Sequence, residues 1–263
     1  MILNVFSGVI FGLIISIISY KLKLLKLNGA IATFFLAWII FGFGHVKWTV
    51  PILIFFILSS LLSKLQKKIN PKINSVFQKG NVRDHVQVLA NGGFPGILVL
   101  INQIHSSELF YIAYVSAIAA VCSDTWATEI GTLIKAKTFN IINFHQVEQG
   151  ISGGVSLLGF TGAALGAIII STSALPWLNN ISELMTIIFI SGLLGSTLDS
   201  VLGSTLQGKF NCIICNKTVE NKIHCGKNSV HINGVTWLNN DAVNLAASFF
   251  GGFFSIALVK LII

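Results

Sequence analysis

Eight stretches of this chain carry almost no charge, near residues 2–20, 28–46, 48–63, 86–104, 107–123, 154–174, 184–206 and 239–262. About 20 apolar residues in helical form cross the roughly 30 Å hydrocarbon core of a bilayer. A helix also satisfies its own backbone hydrogen bonds there, which an open strand or loop does not. The pattern therefore predicts an all-α, polytopic integral membrane bundle of about eight transmembrane helices, with 1–263 as one membrane domain. The third run is short, the fourth contains Pro95 and the fifth can extend through 124–135, so seven or nine helices also fit.

The basic residues test this count independently. Of the 17 Lys and Arg, 15 fall in alternate loops: Lys21, Lys23 and Lys26; Lys64, Lys67, Lys68, Lys72, Lys79 and Arg83; Lys135 and Lys137; Lys209, Lys217, Lys222 and Lys227. Only Lys47 and Lys260 remain for the opposite side. The positive-inside rule then puts these loops in the cytoplasm and both termini outside, in an integral membrane protein whose membrane, if the chain is bacterial, is the plasma (inner) membrane. The net charge of +8 would suit nucleic acid in a soluble domain, but here membrane orientation accounts for it, and no nucleic-acid partner is expected. The first run lacks a preceding basic region and is read as a retained helix rather than a signal peptide.

The polar stretches RDHVQVLANGG (83–93), SDTWATEIG (123–131), VEQGISGG (147–154), GSTLDSVLGSTLQ (195–207) and TWLNNDAVN (236–244) all lie at or beside cytoplasmic helix ends. Four acids, Asp124, Glu129, Asp199 and Asp241, belong to helices or their first turns. A single acid there is often a cap, but four on one face, interleaved with Asn, Ser and Thr, point to a site. Carboxylates combined with substrate phosphates are what Mg²⁺ prefers, and Asp124 and Asp199 are the expected ligands. Asp124 and Glu129 lie about 140° apart on a straight helix, so either the helix breaks or Glu129 serves another partner. Gly192, Gly195, Ser196, Asp199 and Gly203 form a small-residue face that packing alone would also explain.

Gly150, Gly153 and Gly154 let backbone N–H groups approach an anion, and a helix starting near Val155 points its N-terminus at the same place. Ser152 and Ser156 add hydroxyls, whereas Gly159, Gly162 and Gly166 read as helix packing. Asn91, Gly92 and Gly93 form a second, weaker candidate beside Arg83, the only arginine, whose guanidinium suits bidentate phosphate contact. Ser123, Thr128, Ser200, Asn239, Asn240 and Asn244 complete the candidate phosphate and nucleotide contacts.

The loop 208–235 carries Cys212, Cys215, His224 and Cys225 as CIIC-x8-HC. Three cysteines and a histidine suit structural Zn²⁺ in a reducing compartment, although the adjacency of His224 and Cys225 sets strain against both ligating one ion. Cys122 reads as a small apolar helix residue, and His85, His145 and His231 as solvated loop residues.

Taken together, RDHVQVLANGG, SDTWATEIG, VEQGISGGVSLLG, LDSVLGSTLQ, the CIIC–HCG loop and WLNNDAVN resemble the successive signatures of the membrane family known as domain of unknown function 92, over about 28–262. That family includes transmembrane protein 19 and plant phytyl-phosphate kinase. The resemblance implies a membrane enzyme that phosphorylates an isoprenyl, phytyl-like monophosphate to the diphosphate. A more distant similarity is to CTP-using lipid kinases and cytidylyltransferases, where Ser123, Asp124 and Ala127, then Gly150, Gly153 and Gly154, then Asp199 and Ser200 match successive elements. Phe144, His145 and Gln146 stand where the cytidylyltransferases carry a lysine. The resemblance thus implies Mg²⁺, CTP or ATP as donor, and an isoprenoid tail between helices. A CDP-lipid cytidylyltransferase and a membrane transporter are the alternatives.

Overall fold

The computed structural model describes residues 2–71 and 82–263. Lys72 and Lys79 lie outside the described residues. The helices are α1 (Ile2–Lys21), α2 (Leu27–Ile69), α3 (His85–Ile104), α4 (Glu108–Gly131), α5 (Leu157–Ser173), α6 (Ile181–Thr205) and α7 (Asn240–Ile262). By length and composition, six helical stretches suffice to cross a membrane, α2 counted as one and α3 not among them.

α2 doubles back on itself. His45 has φ 55° and ψ −158°, outside helical values, and divides α2 into arms at 27–44 and 46–69. Leu36 and Ile52 would be roughly 24 Å apart on a straight helix at 1.5 Å per residue. Yet a Cβ added at Gly92 would sit 2.4 Å from Leu36 Cδ2 and 3.4 Å from Ile52 Cδ1, so the arms run side by side. Gly44 permits the reversal, since a Cβ there would lie 2.5 Å from that of Trp48. With α2 as two arms and α3 continuous through Pro95, the described residues hold eight helical segments.

α4 is the axis of the bundle. Its residues Tyr111–Ser123 are buried throughout, and it packs on α2, α3, α5, α6 and α7. Small residues make this close packing feasible. A Cβ at Gly162 would meet the Trp126 carbonyl oxygen at 2.5 Å, and one at Gly195 would meet Ala120 Cβ at 2.4 Å. Close backbone approach with dispersion contacts is the main source of helix association in lipid. The second arm of α2 runs parallel to α4, and their polar side chains pair in register. Trp126 Nε1 donates to Ser59 Oγ at 3.0 Å, Ser63 donates to Glu129, and Gln66 Nε2 donates to Thr132 Oγ1 at 3.3 Å. Pro51 has no N–H to offer the Lys47 carbonyl four residues earlier, and the Tyr111 hydroxyl donates to that carbonyl instead, at 3.3 Å.

The loops after α4 and α6 fold into small sheets that the hydropathy pattern does not disclose. β1 (Thr138–Asn140) lies between β2 (Gln146–Val147) and β3 (Gly154–Val155), both antiparallel to it. β4 (Lys209–Asn211) lies between β5 (Thr218–Val219) and β8 (Val230–Asn233), and β6 (Ile223–His224) pairs with β7 (Lys227–Asn228). Both three-stranded sheets and the β6–β7 pair belong to the lysine-bearing loops that follow α4 and α6.

Candidate functional site

A cavity of ≈ 890 Å³ opens between the cytoplasmic ends of α3 to α7 and the two loop sheets. Of the expected residues, Arg83, Asn91, Asp124, Thr128, Glu129, Gly150, Ser152, Gly153, Gly154, Asp199, Ser200, Asn240, Asp241 and Asn244 line it. Stretches scattered over 160 residues of sequence thus converge on one chamber.

The four acids divide between two places. α4 continues unbroken to Gly131, so Asp124 and Glu129 stay on different faces, and the break that would join them does not occur. Asp124 lies against Asp199 of α6, carboxyl to carboxyl. Asp199 Oδ2 is buried without a hydrogen-bond partner among the described residues. Two carboxylates this close repel each other unless a cation or proton lies between them. Glu129 takes the second alternative: it accepts a hydrogen bond from Ser63 and faces Arg83. Asp241, in the first turn of α7, is also buried, and Asn239 caps that helix by accepting from the Ala242 N–H at 3.0 Å. Asn239 is therefore a structural cap.

Arg83 is fixed from both sides along its backbone. Its N–H donates to Leu24 O at 3.1 Å and its carbonyl accepts from Lys26 N at 2.9 Å. The guanidinium stands 5.8 Å from the ring centres of both Phe55 and Phe56. Burial lowers its pKa and the Glu129 charge opposes that shift. Beside it, Asp84 and Gln87 form a reciprocal capping box that starts α3. Asn91 Oδ1 and Asn244 Oδ1 are buried without a hydrogen-bond partner among the described residues where they meet the cavity. Such groups carry a desolvation cost that a bound polar ligand would relieve.

Several expected contacts take another role. Gly92 and Gly93 lie inside α3, where backbone N–H groups are spent on the helix, and neither lines the cavity. Gly92 packs on Leu36 and Ile52. Ser123 is fully buried outside the cavity lining, one helical step from Asp124. Val155 belongs to β3, and α5 starts at Leu157 with Ser156 capping the Gly159 N–H at 3.0 Å. The glycine loop is shaped chiefly by packing: Gly153 has φ +80°, and a Cβ there would lie 2.5–2.6 Å from Ser204. Gly150, at φ 92°, remains at the cavity wall. His85, His145 and His231 are exposed and outside the lining.

Ser63, Gln87, Gln149 and Glu220 also line the cavity, although their sequence context did not single them out, as does Ser196, which the sequence assigns to the small-residue packing face. Gln87 had a signal in its spacing of four from Asn91 on one helix face. Glu220 had none, because the β5–β4 pairing carries it there. It accepts a hydrogen bond from Ser152 in the glycine loop. Burial pushes the Glu220 carboxyl up, and the Ser152 bond and the Lys209 charge pull it back. Lys209 Nζ in turn donates to Ser204 O at 3.2 Å.

A smaller apolar cavity of ≈ 80 Å³ adjoins this chamber. Phe11, Leu36, Ile52 and Phe55 contribute to its walls, and Arg83, Gln87 and Asn91 line both spaces. The polar chamber and the apolar space thus meet at the single arginine.

In the loop that follows β4, ligand atoms of Cys212, Cys215, His224 and Cys225 all lie within 4.8 Å of one another. The neighbouring His224 and Cys225 do converge, and the strain that their adjacency requires is found at Cys225, which adopts φ 51°, in the left-handed region that few non-glycine residues occupy. The Cys215 backbone, then the His224 side chain, hold the Cys212 thiol down to about 6.

Among known proteins, the chain is similar to Protein PGR of Arabidopsis thaliana, 32% identical over 91% of this chain and 91% of the relative. An uncharacterised membrane protein of Methanocaldococcus jannaschii is 27% identical over 95% of this chain and 92% of its own length. A third relative, an uncharacterised membrane protein of Synechocystis, is 27% identical over 56% of this chain and 47% of its length. No solved structure matches. Residues 10–252 match the family described as Integral membrane protein DUF92, and the chain belongs to that family.

Proposed function

We propose that the protein is a membrane-embedded phosphotransferase that uses Mg²⁺ and a nucleoside triphosphate, CTP or ATP, to convert an isoprenyl, phytyl-like monophosphate to its diphosphate at the cytoplasmic face. The observation that carries this reading is the Asp124–Asp199 carboxyl pair inside a polar chamber that adjoins an apolar space at Arg83. Paired acids with spare coordination suit Mg²⁺ that also binds phosphates. When bound there, Mg²⁺ would neutralise charge on the transferring phosphoryl group.

The chain's own work is positioning. Arg83 grips the lipid monophosphate and the tail enters the apolar space between α1, the arms of α2 and α3. Gly150 and Ser152 face the nucleotide phosphates, and Asn91 and Asn244 supply fixed dipoles. An oxygen of the lipid phosphate attacks the γ-phosphorus, the bond from that phosphorus to the β,γ-bridging oxygen breaks, and the nucleoside diphosphate leaves. The attacking oxygen is already ionised, so no strong general base is required. The packed outer portion of α4, Tyr111–Ser123, favours a site open to one side over a transport path.

The test uses protein in nanodiscs with Mg²⁺, geranylgeranyl or phytyl monophosphate, and nucleotide labelled at the α- or γ-phosphate. Label in the lipid from the γ-position is the expected result. Label from the α-position would identify a cytidylyltransferase and overturn the kinase reading.

A further inference from the structure

We propose that Cys212, Cys215, His224 and Cys225 bind a structural Zn²⁺ that closes the loop 212–225 and holds Glu220 against the glycine loop. The proposal stands apart from the phosphotransfer reading, since its ligands lie outside the cavity lining.

Three observations carry it. First, four ligand atoms within 4.8 Å match the three-thiolate, one-imidazole set that zinc takes in tetrahedral sites. His224 Nδ1 lies 3.3 Å from Cys225 Sγ and 3.6 Å from Cys215 Sγ, spacings between ligands rather than bonds. Second, the backbone is bent to bring them there. Asn216, at φ 54°, turns the chain after the first pair, with Asn216 N donating to Cys212 O at 2.9 Å and Cys212 N to Lys217 O at 3.0 Å. Cys225, at φ 51°, rotates its thiol to the same side as the preceding imidazole. Left-handed conformation at a non-glycine residue persists where the surroundings impose it, and a shared ion supplies such a constraint. Third, the four cysteines are free of disulfides, and Cys122, buried in α4, is not part of the cluster.

The consequence for the cavity follows from chain order. Glu220 lies between the two ligand pairs, at the end of β5, and accepts from Ser152. Few apolar side chains of this loop are buried among 212–228, chiefly Cys212 and Val219, so the segment has little core of its own. Small units of that kind use metal where a hydrophobic core is insufficient. Zinc thereby acts at a distance of one loop on a residue that lines the chamber beside the glycine loop, making Glu220 a positioned residue.

The experiment is elemental analysis of the full chain purified without chelator, paired with hydrogen exchange. One zinc per chain is expected, retained in Cys122→Ser and Glu220→Gln and lost in Cys215→Ser and His224→Ala. Removing zinc from the wild type should expose Cys212, Cys215 and Cys225 to alkylation, raise exchange at 150–154, and reverse on adding Zn²⁺. The reversible wild-type measurement keeps the test decisive if a variant fails to fold. Absence of zinc, a disulfide within the cluster, or equal alkylation with and without metal overturns the site. Unchanged exchange at 150–154 overturns the positioning of Glu220.

Discussion

Asp124 of α4 and Asp199 of α6 turn their carboxyls toward each other at the cytoplasmic end of the bundle. Replacing either by Asn keeps the shape and removes one ligand charge. We expect Asp124→Asn and Asp199→Asn each to lower phosphotransfer by about 10²–10³-fold, as for loss of one strong electrostatic group at a reacting centre. In the wild type, Mg²⁺ should also raise Tm, and each variant should lose that rise. Full activity in both variants would remove the metal-based reading.

Arg83 joins the polar chamber to the apolar space, and lysine would keep its charge without its planar fork. Arg83→Lys is expected to raise KM for the lipid phosphate about tenfold, equal to ~1.4 kcal/mol, with a smaller change in kcat. Steady-state kinetics with nucleotide held saturating separates the two. An equal fall in kcat instead would move Arg83 from substrate binding to the transition state.

The glycines make opposite predictions. A methyl group at Gly153 would collide with Ser204 in a backbone conformation, φ +80°, that disfavours any side chain, so Gly153→Ala should cost about 1–3 kcal/mol. Gly93 sits in α3 with no outside atom nearer than Leu89 Cβ at 3.9 Å. Gly93→Ala should stabilise by about 0.5–1 kcal/mol through helix propensity. Thermal melts in detergent compare them directly.

Glu220 gives a pH dependence. Its pKa in the fold is raised, chiefly by burial, above the usual glutamate value, with Lys209 and Asp199 as the charges facing it. A raised folded pKa means that the fold binds this proton more tightly, so the contribution is present at low pH and is lost as pH rises through the folded pKa. In Mg²⁺-free buffer, Glu220→Gln should therefore raise Tm relative to wild type near pH 8, with the gain shrinking toward pH 4. A gain that is constant with pH would assign the effect to packing.

The sequence is informative wherever the physics is local. Eight apolar runs and alternating lysines disclose the crossings, and even the division of Leu27–Ile69 is visible in the gap between the second and third runs. The 140° between Asp124 and Glu129 correctly separates their roles, since α4 does not break. Less was visible where distant segments meet. Nothing near Gly153 announces that Ser204 stands against it, and Glu220 reaches the cavity only through strand pairing. The adjacency of His224 and Cys225 announces strain but not where it falls, since side-chain direction depends on one backbone angle, at Cys225, that composition does not encode.

The register between the second arm of α2 and α4 has a consequence for biogenesis. Ser63 with Glu129 and Gln66 with Thr132 are each separated by 66 residues along the chain. At about 5–20 residues per second, a ribosome needs roughly 3–13 s to make that interval. For that time the polar stripe Ser59, Ser63 and Gln66 has been made before its complement exists. The second arm of α2 therefore keeps these groups at the insertion machinery or against a provisional neighbour until α4 arrives to complete their hydrogen bonds.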